Sequence, residues 1–327
     1  MTIDANSLPG GLTISGGSQN FRLFFNTGGS GLTLRGLTLA NGGTTGFYGV
    51  GGAIFNSGTL TPTLCTLSSN SATYGTGIYN FSGTLTLTHC TISGNFVPGP
   101  SCCAAIFADF GTLVFNVNNT ITAGNMPGNI QDLARVMTGA NNLTNGNPLL
   151  APLDNYGGPT RTMALLTGSP ARHAAVGSTA TSDQRGFPIV GTPDIGAYEA
   201  GTLSSNFNAF IWESLPAFAT ASDHAAGFDY DGDGVSNYDE WLNMTDPNNA
   251  ASFIRILSLQ ATNSTNFVLR FSTVLNRTYT LWSATAVTGV FTNTGLPAII
   301  GNGSPRAFTN VINTNTPRRF YKVQSTP

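Results

Sequence analysis

Charge is scarce in this chain. Of its 327 residues only 9% are Asp, Glu, Lys or Arg, and Lys322 is the single lysine, against a charged share of about a quarter in ordinary globular proteins. A net charge of −2 offers no basic footprint for a phosphate backbone, so nucleic acid is excluded as a partner. Long apolar runs are missing as well, which excludes a transmembrane helix. The opening MTIDANSLPGG has neither the basic head nor the apolar stretch of a signal peptide, and the expectation is a mature form or a fragment. Low charge does not mean disorder here, because 40% of the residues are apolar.

Cysteine is limited to four residues. Cys65 and Cys90 recur at one place in successive copies of a motif and are expected as buried free thiols, with a disulfide between neighbouring rungs as the alternative. The vicinal Cys102–Cys103 pair follows Pro98, Gly99 and Pro100. It lacks CxxC spacing, so neither redox nor zinc chemistry is assigned to it.

What the chain has in abundance is repetition. Residues 51–60 read GGAIFNSGTL, 75–85 read GTGIYNFSGTL, and 103–113 read CAAIFADFGTL. Each phrase leads into a short β-rich run that ends at an asparagine, Asn70, Asn95 or Asn125, and an earlier copy passes Asn41. Leu32, Leu60, Leu85 and Leu113 follow at intervals of 28, 25 and 28 residues, a period that implies stacked coils. Leu85 and Leu87 alternate with threonines as a half-buried strand requires. The alternation slips by one residue at Thr88-His89 and resumes at Cys90 and Ile92; Leu32, Leu34, Leu37 and Leu39 slip the same way about Gly36. Two short strands meeting at a bend place all four side chains inside.

The fold expected is all-β. A right-handed parallel β-helix occupies residues 1–200 with a terminal cap, 201–250 form a linker with a metal-binding loop, and 251–327 form a small antiparallel β-sandwich of alternating strands. Turn asparagines stack as ladders. In the linker, Ile211, Trp212, Leu215 and Phe218 have the spacing of a short docking helix.

The motifs GGPT-x-T-x-ALL-x-GSPA (Gly157 to Ala171), DQRG (Asp183 to Gly186) and DIGA-x-E (Asp194 to Glu199) resemble the closing signature of bacterial surface β-helix proteins with a choice-of-anchor Q segment. His173 departs from that signature, where an aspartate is usual. The resemblance covers residues 31–200 and implies an exported repeat protein held at the cell surface. Asp183, Arg185, Asp194 and Glu199 are read as turns closing the end of the solenoid, with the arginine paired to an aspartate.

Seven of the 15 acidic residues lie between Asp223 and Asp246. Within DYDGDGVSNYDE, Asp229, Asp231 and Asp233 take positions 1, 3 and 5 of a 12-residue loop, and Gly234 takes the sharp turn at 6. Val235 offers its carbonyl at 7, Asn237 stands at 9 and Glu240 at 12. That oxygen-rich spacing suits Ca²⁺ in a structural role between the two domains. Ser236 at position 8 departs from a helical EF-hand, and the loop resembles those of dockerins and thrombospondin type 3 repeats. Residues 207–327, with YTLWSAT and the final RRFYKV, look like C-terminal modules of verrucomicrobial and planctomycete secreted proteins. Arg318, Arg319 and Lys322 are read as the alternation of a closing strand.

Enzymatic β-helices need carboxylates clustered on one face. Residues 1–150 carry Asp4, Asp109 and Asp132 at unrelated coil positions, and His89 stands alone, read as a surface or turn residue. A non-catalytic, adhesin-like surface protein is therefore expected, as a monomer or part of a longer chain, with extracellular glycans or cell-surface proteins as partners. The alternatives are a carbohydrate-binding module and a polysaccharide-degrading enzyme. Phe55, Tyr79 and Phe107, with Phe47, Tyr48 and Tyr74 nearby, form one aromatic stack, expected as an inward core ladder rather than an outward binding strip.

Overall fold

The computed structural model describes residues 1–327 except 18–20, 45–48, 98–103, 202–205, 263–265, 312–318 and 327. Cys102, Cys103, Phe47, Tyr48 and Arg318 lie outside the described residues. The chain divides into two compact units, Met1–Ala217 and Phe218–Pro327.

The first unit is a parallel β-helix. Its first sheet stacks Thr2–Asp4, Gly31–Arg35, Thr59–Thr63, Thr84–Thr88, Val114–Asn118 and Met137–Thr138. The second stacks Thr13–Ser15, Thr38–Ala40, Thr66–Ser68, Thr91–Ser93 and Ile121–Thr122, and the third Phe24–Asn26, Ile54–Asn56, Ile78–Asn80, Ala104–Ala108 and Gly128–Asp132. Every pairing in these sheets is parallel. The alternation read from the sequence fills the core: Leu32, Leu34, Leu37 and Leu39 are buried together with Leu60, Cys65, Leu67, Leu85, Leu87, Cys90 and Ile92. Cys65 and Cys90 are free thiols in that core.

The slip between the first two sheets is a column of left-handed bends. Gly36, Leu64, His89, Asn119 and Asn141 all have φ between 47° and 66°, and each reverses the inward face after one extra residue. Leucine at such a position costs on the order of 1 kcal/mol, which the ladder on either side of the bend offsets.

Leu32, Leu60 and Leu85 are in register, but the next rung brings Phe115 beneath Leu85, and Leu113 is 72% exposed. The reason is a longer turn. Four positions separate Asn80 from Thr84, whereas six separate their partners Ala108 and Val114, and the extra pair carries Leu113 out of the coil.

Two amide ladders run along the turns. Asn70 donates Nδ2 to Asn95 Oδ1 at 2.9 Å, and Asn95 does the same to Asn125 at 2.9 Å. The expected copy at Asn41 lies one residue too early, so the backbone N–H of Gly42 meets Asn70 Oδ1 instead. A second ladder, Asn26–Asn56–Asn80, ends on the Thr112 hydroxyl.

Residues 150–200 are not further coils. Their only described bridges are isolated and antiparallel, and the expected end cap is instead a brace along the outer face of the second sheet. Thr38 bonds to the Arg161 carbonyl and receives Gln184 Nε2 at 3.0 Å. Thr66 reaches Thr162 at 3.0 Å and Gln184 Oε1 at 2.5 Å, and Thr91 accepts from Ala197 N–H at 3.0 Å. The threonines that alternate with the core leucines are thus buried from outside. On the last rung the alternation inverts, and Ile121 points outward into an apolar cluster with Leu165, Tyr156 and Tyr198. Helix α1, Phe207–Ser214, is capped by Asn206 and buries Ile211, and Trp212 joins the same cluster; Phe218 is 83% exposed and takes no part.

The second unit packs the sheet Ile256–Ala261, Asn266–Phe271, Arg306–Val311 against one centred on Thr278–Ala284 and Phe320–Thr326. All pairings are antiparallel. Phe267, Leu269, Phe271, Tyr279, Leu281 and Phe308 form its core. Lys322 lies over the Trp282 ring at 5.5 Å and Arg319 bonds to Ser283, so the basic residues of the closing strand serve packing.

Two outcomes are expected. Leu85→Asp buries an unpaired carboxylate in a fully enclosed site and should cost about 4 kcal/mol or more, read as loss of the cooperative melt. His89, expected as a surface or turn residue, does sit at a bend but is buried, at 5% exposed, with Nδ1 3.3 Å from Gly196 O and Nε2 2.6 Å from Ser178 Oγ. Burial pushes its pKa down, so below about pH 6.5 the unfolded chain takes up the proton first and stability falls. His89→Asn, the residue of the next two bends, should flatten the drop in melting temperature between pH 7 and pH 5; equal slopes for both proteins would refute this.

Candidate metal centre

The acidic loop belongs to the second unit. No helix precedes it among the described residues of that unit, and α2, Asn237–Asn243, begins within it at position 9. Ser236, at loop position 8, is the N-cap of α2, accepting from Asp239 N–H. The position that departs from an EF-hand therefore starts the helix that carries Glu240.

The loop folds around its own carboxylates. Asp229 accepts from the N–H groups of Gly232 at 2.9 Å and Gly234 at 2.8 Å. Asp231 accepts from Asp233 N–H at 3.2 Å, and Asp233 from Val235 N–H at 2.8 Å, each through Oδ1. Gly232 and Gly234 have φ of 78° and 92°, the left-handed turn that only glycine adopts without strain. The outcome is convergence: ligand atoms of Asp229, Asp231 and Asp233 lie within 4.8 Å of one another.

What these groups leave unbonded is chemically specific. Asp231 Oδ2, Asp233 Oδ2, Asn237 Oδ1 and Glu240 Oε2 are buried without a hydrogen-bond partner. Glu240 is fully enclosed, and its carboxyl is pushed up to about 8, first by burial and then by Asp231 and Asp233. Burial, helped by the Asp233 and Asp229 charges, raises Asp231 too, against the pull of its bond from Asp233 N–H. Asn237 spends its amide N–H groups on the Asp223 carbonyl at 2.7 Å and the Ala225 carbonyl at 3.1 Å, so Oδ1 is the atom it has left to offer. All four orphaned atoms are oxygens, and none belongs to a donor. A divalent cation that takes six to eight oxygens is the partner this chemistry fits.

The other groups singled out in the sequence lie elsewhere. Asp183 and Arg185 form a buried pair, Nε to Oδ2 at 2.7 Å, and the guanidinium also reaches the carbonyls of Tyr156 and Glu199. Glu199 accepts from the N–H groups of Val190 and Asp194, and Asp194 from those of His173 and Ala200. These acids are spent on the backbone of the brace.

The aromatic stack faces outward, contrary to the expected core ladder. Ile54, Ile78 and Ile106 of the third sheet point into the core, and their neighbours Phe55, Tyr79 and Phe107 point away from it, in a separate cluster with Val50 and Tyr74. The stack begins one rung earlier than the repeats suggest, with Phe25. Successive centroids are 4.6, 5.8 and 5.3 Å apart and the rings are within 16° of parallel. The inner ring faces are therefore taken up by each other, while the first ring, Phe25, is 60% exposed. Arg22 flanks Phe25 and Phe55, while Tyr79 and Phe107 are covered.

No protein-family model, curated protein or solved structure matches this chain.

Glu240→Gln removes the buried charge and adds an N–H donor beside Asp231 and Asp233. In chelator at pH 8.5, the variant should melt several degrees above the parent protein, since relief of about 1 kcal/mol moves a domain of this size by roughly that much. An unchanged or lower melting temperature would show that the carboxylates do not repel.

Proposed function

We propose that this protein is a non-catalytic, surface-displayed repeat protein whose second unit is ordered by one structural Ca²⁺. The observation that carries the metal is the set of four buried, unpartnered oxygens on Asp231, Asp233, Asn237 and Glu240, beside an Asp229 already clustered with the first two. Asp229, Asp231, Asp233 and Glu240 supply carboxylate oxygens, Val235 its carbonyl, and Asn237 its Oδ1 directly or through water. Mg²⁺ fits less well, since it demands compact octahedral geometry and holds its own waters. In this reading the cation neutralises the mutual repulsion of the carboxylates and fixes the start of α2.

The display role rests on the parallel solenoid and its low charge, together with the likeness of residues 157–199 to choice-of-anchor Q segments. The loop's likeness to dockerin and thrombospondin type 3 loops, and that of residues 207–327 to verrucomicrobial secreted modules, point the same way. They favour an exported protein at the bacterial cell surface. The acids of the coils are each engaged locally. Asp4 accepts from Asn6 N–H, Asp109 from the Tyr79 hydroxyl, and Asp132 from Arg135 and Met137 N–H. Carboxylates occupied in this way, at three unrelated places, favour a scaffold over a polysaccharide lyase or glycosidase.

Calorimetry of the full chain should give one Ca²⁺ per molecule and a higher melting temperature on adding calcium, both lost in Asp229→Ala/Asp231→Ala. Parent and variant titrating alike would remove the metal from this reading. Turnover of polygalacturonate that disappears in Asp109→Asn or Asp132→Asn would replace the scaffold with an enzyme.

A further inference from the structure

A groove of about 570 Å³ runs along the bend column of the first unit. Its floor is built from successive rungs: Thr63, Thr88 and Asn118 stand in register at the ends of their strands. Residues 176–182, part of the brace, form the opposite wall. Ser178 in that wall is fastened to the floor by its 2.6 Å bond to His89 Nε2. Nδ1 of the same ring faces the Gly196 carbonyl and so carries the proton, leaving Nε2 to accept from the serine. The histidine is thereby committed to holding the two walls together.

The lining is mainly polar. Hydroxyl, amide and backbone groups predominate over the apolar Leu64, Ala140, Val176 and Ala180, and there is no carboxylate and no Phe, Tyr or Trp among the described lining residues. Such a lining does not hold a divalent cation and gives an apolar ligand little to bury against. Arg35 is the single cation, half exposed and 3.8 Å from Asp4, so an acidic polymer finds little attraction. The Thr63 and Thr88 hydroxyls make no hydrogen bond within the described residues, although each is partly buried. They repeat at the strand spacing of roughly 4.8 Å, which is comparable to the rise of one sugar unit in an extended glycan.

We infer that this groove binds a neutral oligosaccharide, laid along the solenoid axis and held by a hydroxyl or amide from each rung. This adds a binding site to the scaffold and does not depend on calcium. The outward aromatic stack is the rival platform, but its inner faces are consumed by stacking and Arg22 lies over the exposed end ring, Phe25, whereas sugars dock on open faces.

The test uses the full chain and a panel of labelled neutral gluco-, manno- and xylo-oligosaccharides, read by fluorescence polarisation. Thr63→Val/Thr88→Val keeps the branched shape a strand prefers and removes two hydroxyls. Binding of at least one neutral oligosaccharide is expected, weakened at least tenfold in this variant, with unchanged melting, little dependence on salt and no loss in Phe25→Ala. The inference fails if no neutral oligosaccharide binds. It also fails if binding survives the double substitution, is lost in Phe25→Ala, or is confined to acidic glycans and abolished by salt. None of these outcomes touches the calcium titration, so the two readings stand or fall separately.

Discussion

Each coil of this protein satisfies its turns only through the next one. A parallel strand pairs its backbone with its neighbours, but the chain leaving it must bend, and a bend strands polar groups that the core cannot hydrate. The asparagine ladders resolve this. Asn70, Asn95 and Asn125 each feed a carbonyl of the preceding coil as well as the next amide, so one buried side chain serves two rungs. The leucine columns can then close over a dry interior, and the threonine face of the second sheet is left for the brace to cover.

The brace changes how the closing motifs of the solenoid should be understood. A terminal cap protects one open end, whereas a segment bonded to Thr38, Thr66 and Thr91 touches three rungs at once. Its own charges are turned inward: Asp183, Arg185, Asp194 and Glu199 hold its irregular backbone together without strands or helices. A stretch with so little regular structure needs such groups, because no ladder supplies its hydrogen bonds.

The coils were legible in the sequence because a strand alternation with one slip per bend leaves few ways to bury four leucines. The convergence of the acidic loop was legible for the same kind of reason, since the spacing of Asp229, Asp231 and Asp233 is set by one tight turn. Three features were not. Leu113 repeats the motif letter by letter, yet two extra turn residues move it to solvent, and only the register with Phe115 reveals this. The ladder of Asn26, Asn56 and Asn80 was present in the IFN and IYN phrases but overshadowed by their aromatic residues. The direction of Phe55, Tyr79 and Phe107 was open because alternation alone does not say which set is inside when both are apolar; the isoleucine beside each ring settles it.

The two ladders also share a sense. In both, the side-chain Nδ2 of the earlier coil donates and the oxygen of the later coil accepts, so the amide dipoles add along the axis and polarise one another. The solenoid is therefore a directional object, and its repeats are not equally replaceable. An interior rung must both accept and donate, which restricts it to asparagine or a close analogue. In the second ladder the motif's own position is lost, with Ala108 opposite Asn80, and Thr112 from the following turn accepts in its place while donating back to the Asn80 carbonyl. Drift in the second ladder is thus cheapest at its late end, where a hydroxyl oxygen suffices, and most costly at an interior rung such as Asn56, which must both accept and donate.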